Sequence, residues 1–158
     1  MRDNLRMGKS DAEDGELWAV LERVKLAAFL KEEQGLNTGV SEKSGNLSGG
    51  QCQRLALARA LLHDSSVYIF DVATSNIDVE SGNDIMREKH ALARTKTVIL
   101  ISHRLSNVAA SDRIYVMENG AVTESGTHEG LLKTEGVYFS LWNAQQSLEN
   151  YGKDGGTA

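Results

Sequence analysis

Leu17, Val20, Leu21 and Val24 recur at spacings of three, one and three, which predicts an amphipathic helix capped by Asp14. Residues 26–33 continue as a second short helix, and 35–46, rich in Gly, Ser, Thr and Asn, read as a loop. Residues 1–10 are polar and read as irregular. A longer helix opens at Ser48 and carries Leu55, Ala58, Leu61 and Leu62 on one face. The pattern then changes. Val67-Tyr68-Ile69-Phe70 is a continuous apolar run ending in Asp71, as expected of a strand buried on both faces. A helix over 78–93 and a second run, Thr97 to Ser102, ending at His103, complete the length of a βαβ unit. Asn119-Gly120 separates two further strand-like runs and predicts a two-residue hairpin, because both residues tolerate positive φ. Helices from Thr127 and over 137–148 follow, and a Gly-rich tail from Asn150 reads as disordered.

These elements define an α/β chain, and its 158 residues suffice for one domain or part of one. With no proline, turns fall to the 15 glycines. The balance of 17 Lys+Arg against 22 Asp+Glu argues against a nucleic-acid surface, so no nucleic-acid partner is expected. A single cysteine, Cys52, cannot form an internal disulfide and suits a reducing compartment. No apolar run approaches the roughly 20 residues of a spanning helix, and the first residues lack a signal peptide's apolar segment.

Two strand ends present Asp71 and His103, and open parallel sheets bind ligands beyond the carboxyl ends of their strands. An Asp there suits a hard cation and a His a charged ligand; each is also an ordinary turn or structural residue. Leu47-Ser48-Gly49-Gly50-Gln51 adds weight. Ser48 with Gln51 three residues later is a capping box, which needs no ligand. It needs no glycines either, and each helical glycine costs about 1 kcal/mol against alanine. Two of them at a helix N-terminus let an anion approach unpaired N–H groups closely.

On these residues the chain resembles the ATP-binding domain of exporter-type ABC transporters. Asn46 to Gln51 is similar to the family's signature, Val67 to Asp71 to Walker B, Ser75-Asn76-Ile77-Asp78 to the D-loop, and Ser102-His103-Arg104-Leu105 to the switch-histidine segment. The resemblance implies a P-loop NTPase-type parallel sheet core, here incomplete, with an ABC α-helical subdomain. It divides the chain into a helical signature subdomain (1–63), an α/β core portion (64–149) and the tail (150–158). It also implies ATP and Mg²⁺ at a head-to-tail interface with a second ATP-binding domain, identical or different. Ser48, Gly49, Gly50 and Gln51 would close over the partner's γ-phosphate. Asp71 would hold Mg²⁺, His103 would contact the γ-phosphate, and Asp78 would contact the partner domain. The transmembrane domain of an exporter would be the second partner, and the place of action the cytoplasmic face of the membrane.

Two departures shape the functional expectation. A P-loop requires G-x-x-x-x-G-K-[ST]; Gly8-Lys9-Ser10 matches its end, but Asp3 stands where the first glycine belongs. In the family, Walker A and the Q-loop precede the stretch resembled here. Second, Val72 occupies the position where the family carries a glutamate that polarises water, and loss of a positioned base typically costs about 10²–10⁴ in rate. The expectation is therefore a partial ATP-binding domain of an ABC exporter, an ATPase by descent, with its own hydrolysis lost. The alternative is a non-catalytic interaction module that lends its signature to a complete partner domain. Gly15, Gly82 and Gly130, each in a predicted first turn, are expected to cost helix stability, and unpaired strand edges to favour self-association.

Overall fold

The computed structural model describes residues 1–41, 46–72 and 79–154. They belong to two compact units, one of Met1–Phe70 with Ser75–Ile99 and one of Asp71–Thr74 with Leu100–Ala158.

The first unit is mainly helical: α1 (Arg2–Arg6), α2 (Asp14–Arg23), α3 (Ala27–Glu32), α4 (Gly49–His63) and α5 (Val79–Ala93). The start of the chain is helical rather than irregular. Five residues cannot hold a helix alone, and long-range pins do so here. The Met1 amine donates to the Thr38 carbonyl, Arg2 grips Asp14 through two nitrogens at 2.9 and 2.8 Å, and Leu5 is fully buried. Asp14 is thus a helix residue holding Arg2. The cap of α2 is Glu13, in a reciprocal capping box with Glu16. Leu5, Leu17, Leu21, Leu26 and Leu30 form the fully buried centre of this unit, joined by Leu55, Ala58 and Leu61 of α4. Each buried leucine contributes about 1.5–3 kcal/mol.

Strands β1 (Val67–Val72) and β2 (Thr97–Ser102) are hydrogen-bonded neighbours in a small parallel sheet. Contrary to the continuous apolar pattern, the sheet is not covered on both faces. Tyr68 is buried and Phe70 half-buried, whereas Val67 and Ile69 on the opposite face are exposed, Ile69 to 66%. Ile99 and Ile101 of β2 are exposed as well. The described elements pack on one face only, with Lys89 of α5 lying over the Phe70 ring.

In the second unit, β3 (Ile114–Glu118) and β4 (Ala121–Gly126) form the expected hairpin. Asn119 and Gly120 take φ of 52° and 80°, the left-handed pair that a two-residue turn requires. A bulge lies between Val116 and Met117. Ile114 and Val116 face inward onto Leu131 of α6 (His128–Lys133) and Tyr138 of α7 (Val137–Asp154). Thr127 caps α6 by accepting the Gly130 N–H. Helix α7 continues to Asp154, and Glu124 of β4 secures its start, its two carboxylate oxygens accepting the Val137 and Tyr138 N–H groups. At Gly136 a Cβ would collide with that carboxylate in its present position, so a larger residue there would make the Glu124 side chain shift.

Candidate functional site

The residues similar to the signature, Asn46 to Gln51, lie in the first unit. Ser48 is the N-cap of α4: its Oγ accepts the Gln51 N–H at 3.2 Å, and its own N–H donates to Gln51 Oε1 at 2.8 Å. The reciprocal bonds fix the entry of the chain into the helix. The N–H groups of Gly49 and Gly50 find no partner among the described residues. Gly49 is exposed and Gly50 buried, so Gly49 is the exposed backbone donor on the positive end of a 15-residue helix. Cys52, the next residue after Gln51, is half-buried, and its Sγ lies 3.9 Å from the Leu47 carbonyl.

Further along α4, Arg54 is buried, and its guanidinium forks. Nη1 donates to the Val24 carbonyl at 2.9 Å and Nη2 lies 3.4 Å from Asp84 Oδ2 on α5. Val24 ends α2, and Lys25 follows it in the left-handed region at φ 56°. The Leu26 and Lys25 N–H groups bond back to the Leu21 and Glu22 carbonyls, a closing motif usually built with glycine. Lysine is held there with its Nζ 2.8 Å from Asp84 Oδ1. The hydrogen bond from Lys25, joined by Arg54, holds the Asp84 carboxyl below the usual range. A small cleft of about 50 Å³ lies at this junction.

Asp71 and His103 lie in the second unit, at the carboxyl ends of the two parallel strands, and both are exposed. Asp71 fits the chemistry of Mg²⁺, a hard cation that takes one or two carboxylates and keeps several waters. The backbone around His103 is firmly built. Ser102 Oγ accepts the Arg104 N–H at 3.1 Å and receives Asn107 Nδ2 at 3.3 Å. From α7, Gln145 Nε2 donates to the His103 carbonyl while its Oε1 accepts the Leu105 N–H at 3.0 Å. Sequence reasoning missed Gln145, which stands 42 residues from His103 with no local signal of the pairing. Val72 ends β1. Asp78 and the D-loop-like segment lie outside the described residues.

Gly8-Lys9-Ser10 has other structural work. A Cβ on Gly8 would fall 2.3 Å from the Arg59 carbonyl oxygen, so glycine is needed for α4 to pass. Lys9 bonds the Glu16 carboxylate.

The α/β fold carries a glycine-bearing helix start and two strand-end residues, Asp71 and His103, and comparison with known proteins supplies its family. The ABC transporter family model matches residues 1–75. An ABC transporter ATP-binding protein of Haemophilus influenzae is 46% identical over 149 residues, 94% of this chain and 27% of that protein. The ATP-dependent lipid A-core flippase of Desulfotalea psychrophila is 38% identical over 146 residues, 92% of this chain and 26% of the flippase. A bacterial Atm1-family ABC exporter solved with ATP bound superimposes with a TM-score of 0.82 at 37% identity, over 90% of this chain and 25% of that one. The chain belongs to the ABC transporter ATP-binding family, with exporters among its relatives. It spans about a quarter of the length of these relatives, and among the described residues no helix is long and apolar enough to cross a membrane.

Proposed function

We propose that this chain serves an ABC exporter as the signature-bearing side of a shared ATP site. The carrying observation is the start of α4, where the Ser48–Gln51 capping box leaves the Gly49 and Gly50 N–H groups without a partner among the described residues and Gly49 exposed. Such a helix start suits the γ-phosphate of ATP held by a second ATP-binding domain, identical or different. Asp71 would hold Mg²⁺ through water, His103 would contact a γ-phosphate, and Asp78 would meet the partner domain. Val72 offers no proton acceptor, so hydrolysis at this chain's own site is lost. The same residue favours the second reading, a non-catalytic module lending Ser48–Gln51 in trans to a complete partner. Either way, closure around ATP would drive the transmembrane domain of an exporter from the cytoplasmic face of the membrane.

Calorimetric titration with Mg·ATP tests this, first on the chain alone and then with a complete exporter ATP-binding domain present. The expected result is no binding by the chain alone up to millimolar nucleotide, and ATP-dependent association with the complete domain. Micromolar binding by the chain alone would overturn the shared-site reading. Failure to associate would overturn the lending of the signature.

A further inference from the structure

We propose that Gln145 is the positioning residue of His103, so that helix α7 sets where the switch histidine stands. The amide of Gln145 bonds two backbone groups just after the histidine Cα, on either side of Arg104: its nitrogen donates to the His103 carbonyl and its oxygen accepts the Leu105 N–H. A primary amide is the smallest side-chain group that carries donor and acceptor side by side. Here it matches the carbonyl and N–H of residues i and i+2, as a neighbouring strand would. The grip is needed because β2 ends at Ser102 and a short helical turn begins at Leu105, which leaves His103 and Arg104 outside any regular ladder. Ser102 and Asn107 brace the turn from within, Leu105 packs on the cluster of Ile114, Val116, Leu131 and Tyr138, and Gln145 adds hydrogen bonds from another element. Helix α7 is itself anchored. Glu124 caps its first turn, and Tyr138 and Trp142 stack on one another, with the His128 ring edge-on to both. The histidine is thereby referred to the β3–β4 hairpin through α7.

The purpose of this positioning rests on the reading of His103 as a phosphate-facing residue; the positioning itself does not. The test therefore needs no nucleotide. In the full chain, NMR records the His103 imidazole resonances and the exchange rate of the Leu105 amide. Gln145→Met keeps the length of the side chain and removes both bonds. It is expected to shift the His103 resonances and to speed Leu105 exchange about tenfold or more. Ser147→Ala, two residues on in α7, removes only a bond to the Asn143 carbonyl within the helix, and should change neither. Gln145→Glu supplies rescue: a protonated carboxyl again offers one donor and one acceptor, an ionised one only acceptors. Protection of Leu105 and the backbone shifts of 103–105 should match the parent at pH 3.5 and depart from it at pH 6, each compared at equal pH. Unchanged resonances and exchange in Gln145→Met would overturn the proposal, as would an equal change in Ser147→Ala. If the positioning holds and yet replacing His103 leaves ATP-dependent association with a complete domain intact, the phosphate-facing reading fails by itself.

Discussion

Arg54 and Asp84 meet across 3.4 Å between α4 and α5, with the other arm of the guanidinium on the Val24 carbonyl at the end of α2. One side chain thus ties α4 to two other helices. Arg54→Met fills similar space without the fork and leaves the Val24 carbonyl short of a donor. It is expected to lower stability by about 2–3 kcal/mol, read by urea denaturation. Arg54→Lys should recover part of that loss, since one ammonium cannot serve both acceptors at their present positions. A loss below 0.5 kcal/mol in the methionine variant would remove Arg54 from the junction.

Lys89 lies on the same stripe of α5 as Ile85 and Leu92, is only 7% exposed, and has the Phe70 ring 4.6 Å from its ammonium. Burial lowers its pKa from the usual lysine value, and no carboxylate partner offsets this among the described residues. Because the folded pKa lies below the unfolded one, the unfolded chain holds the extra proton between them, and stability rises with pH across that interval. Denaturation midpoints should therefore climb on the alkaline side, toward the unfolded lysine value of about 10.4. Lys89→Met should abolish the climb and raise stability near neutral pH by about 1 kcal/mol. A flat profile in the parent chain would contradict this.

Val67, Ile69, Ile99 and Ile101 place exposed branched side chains on one small sheet. An apolar sheet surface of this kind associates with whatever covers it. Replacing Ile69 and Ile99 together by threonine keeps the β-branched shape and is expected to reduce self-association, with the thermal midpoint within about 4 °C of the parent. Light scattering across a concentration series reads the first quantity and near-UV circular dichroism the second. Unchanged association would show that this face is not what brings molecules together.

Gly15 stands in the first turn of α2 with open space where a Cβ would go. Gly15→Ala should raise stability by up to about 1 kcal/mol. Gly15→Glu should gain less, because Glu13, Asp14 and Glu16 already crowd that turn with negative charge. At Gly130 a Cβ would press to 3.2 Å on the Thr127 Oγ that caps α6, so the same exchange there should yield little. Differential scanning calorimetry of the three variants gives the order; an equal gain at both sites would refute the steric part.

The features legible in the sequence are those written in neighbouring residues. Ser48 with Gln51 announced the capping box, Asn119-Gly120 the hairpin, and the two apolar runs the strands that bring Asp71 and His103 to one end of a sheet. The features that escaped depend on distant partners. Nothing near Arg2 tells that Asp14 will hold α1 together with Asn37, whose Oδ1 accepts from Arg2 at 2.7 Å, and nothing near His103 points to Gln145. Arg54 reads as a solvated helix charge until Asp84, 30 residues away, is brought to it. Lys89 was hidden for the opposite reason, since a lysine on an apolar stripe looks like a break in the pattern rather than a buried member of it. The exposed face of β1 and β2 was misread because apolar composition states what a strand can bury, not what is present to bury it.

Cys52 has a practical consequence. It is the sole thiol of the chain, and it sits one residue beyond Gln51 with its sulfur near the Leu47 carbonyl. A thiol-selective fluorophore therefore labels one position in the whole molecule, within a turn of the exposed Gly49 donor, without any engineered cysteine. Its emission becomes a gauge of what approaches the start of α4, and a bulkier adduct at the same atom becomes a wedge against that approach.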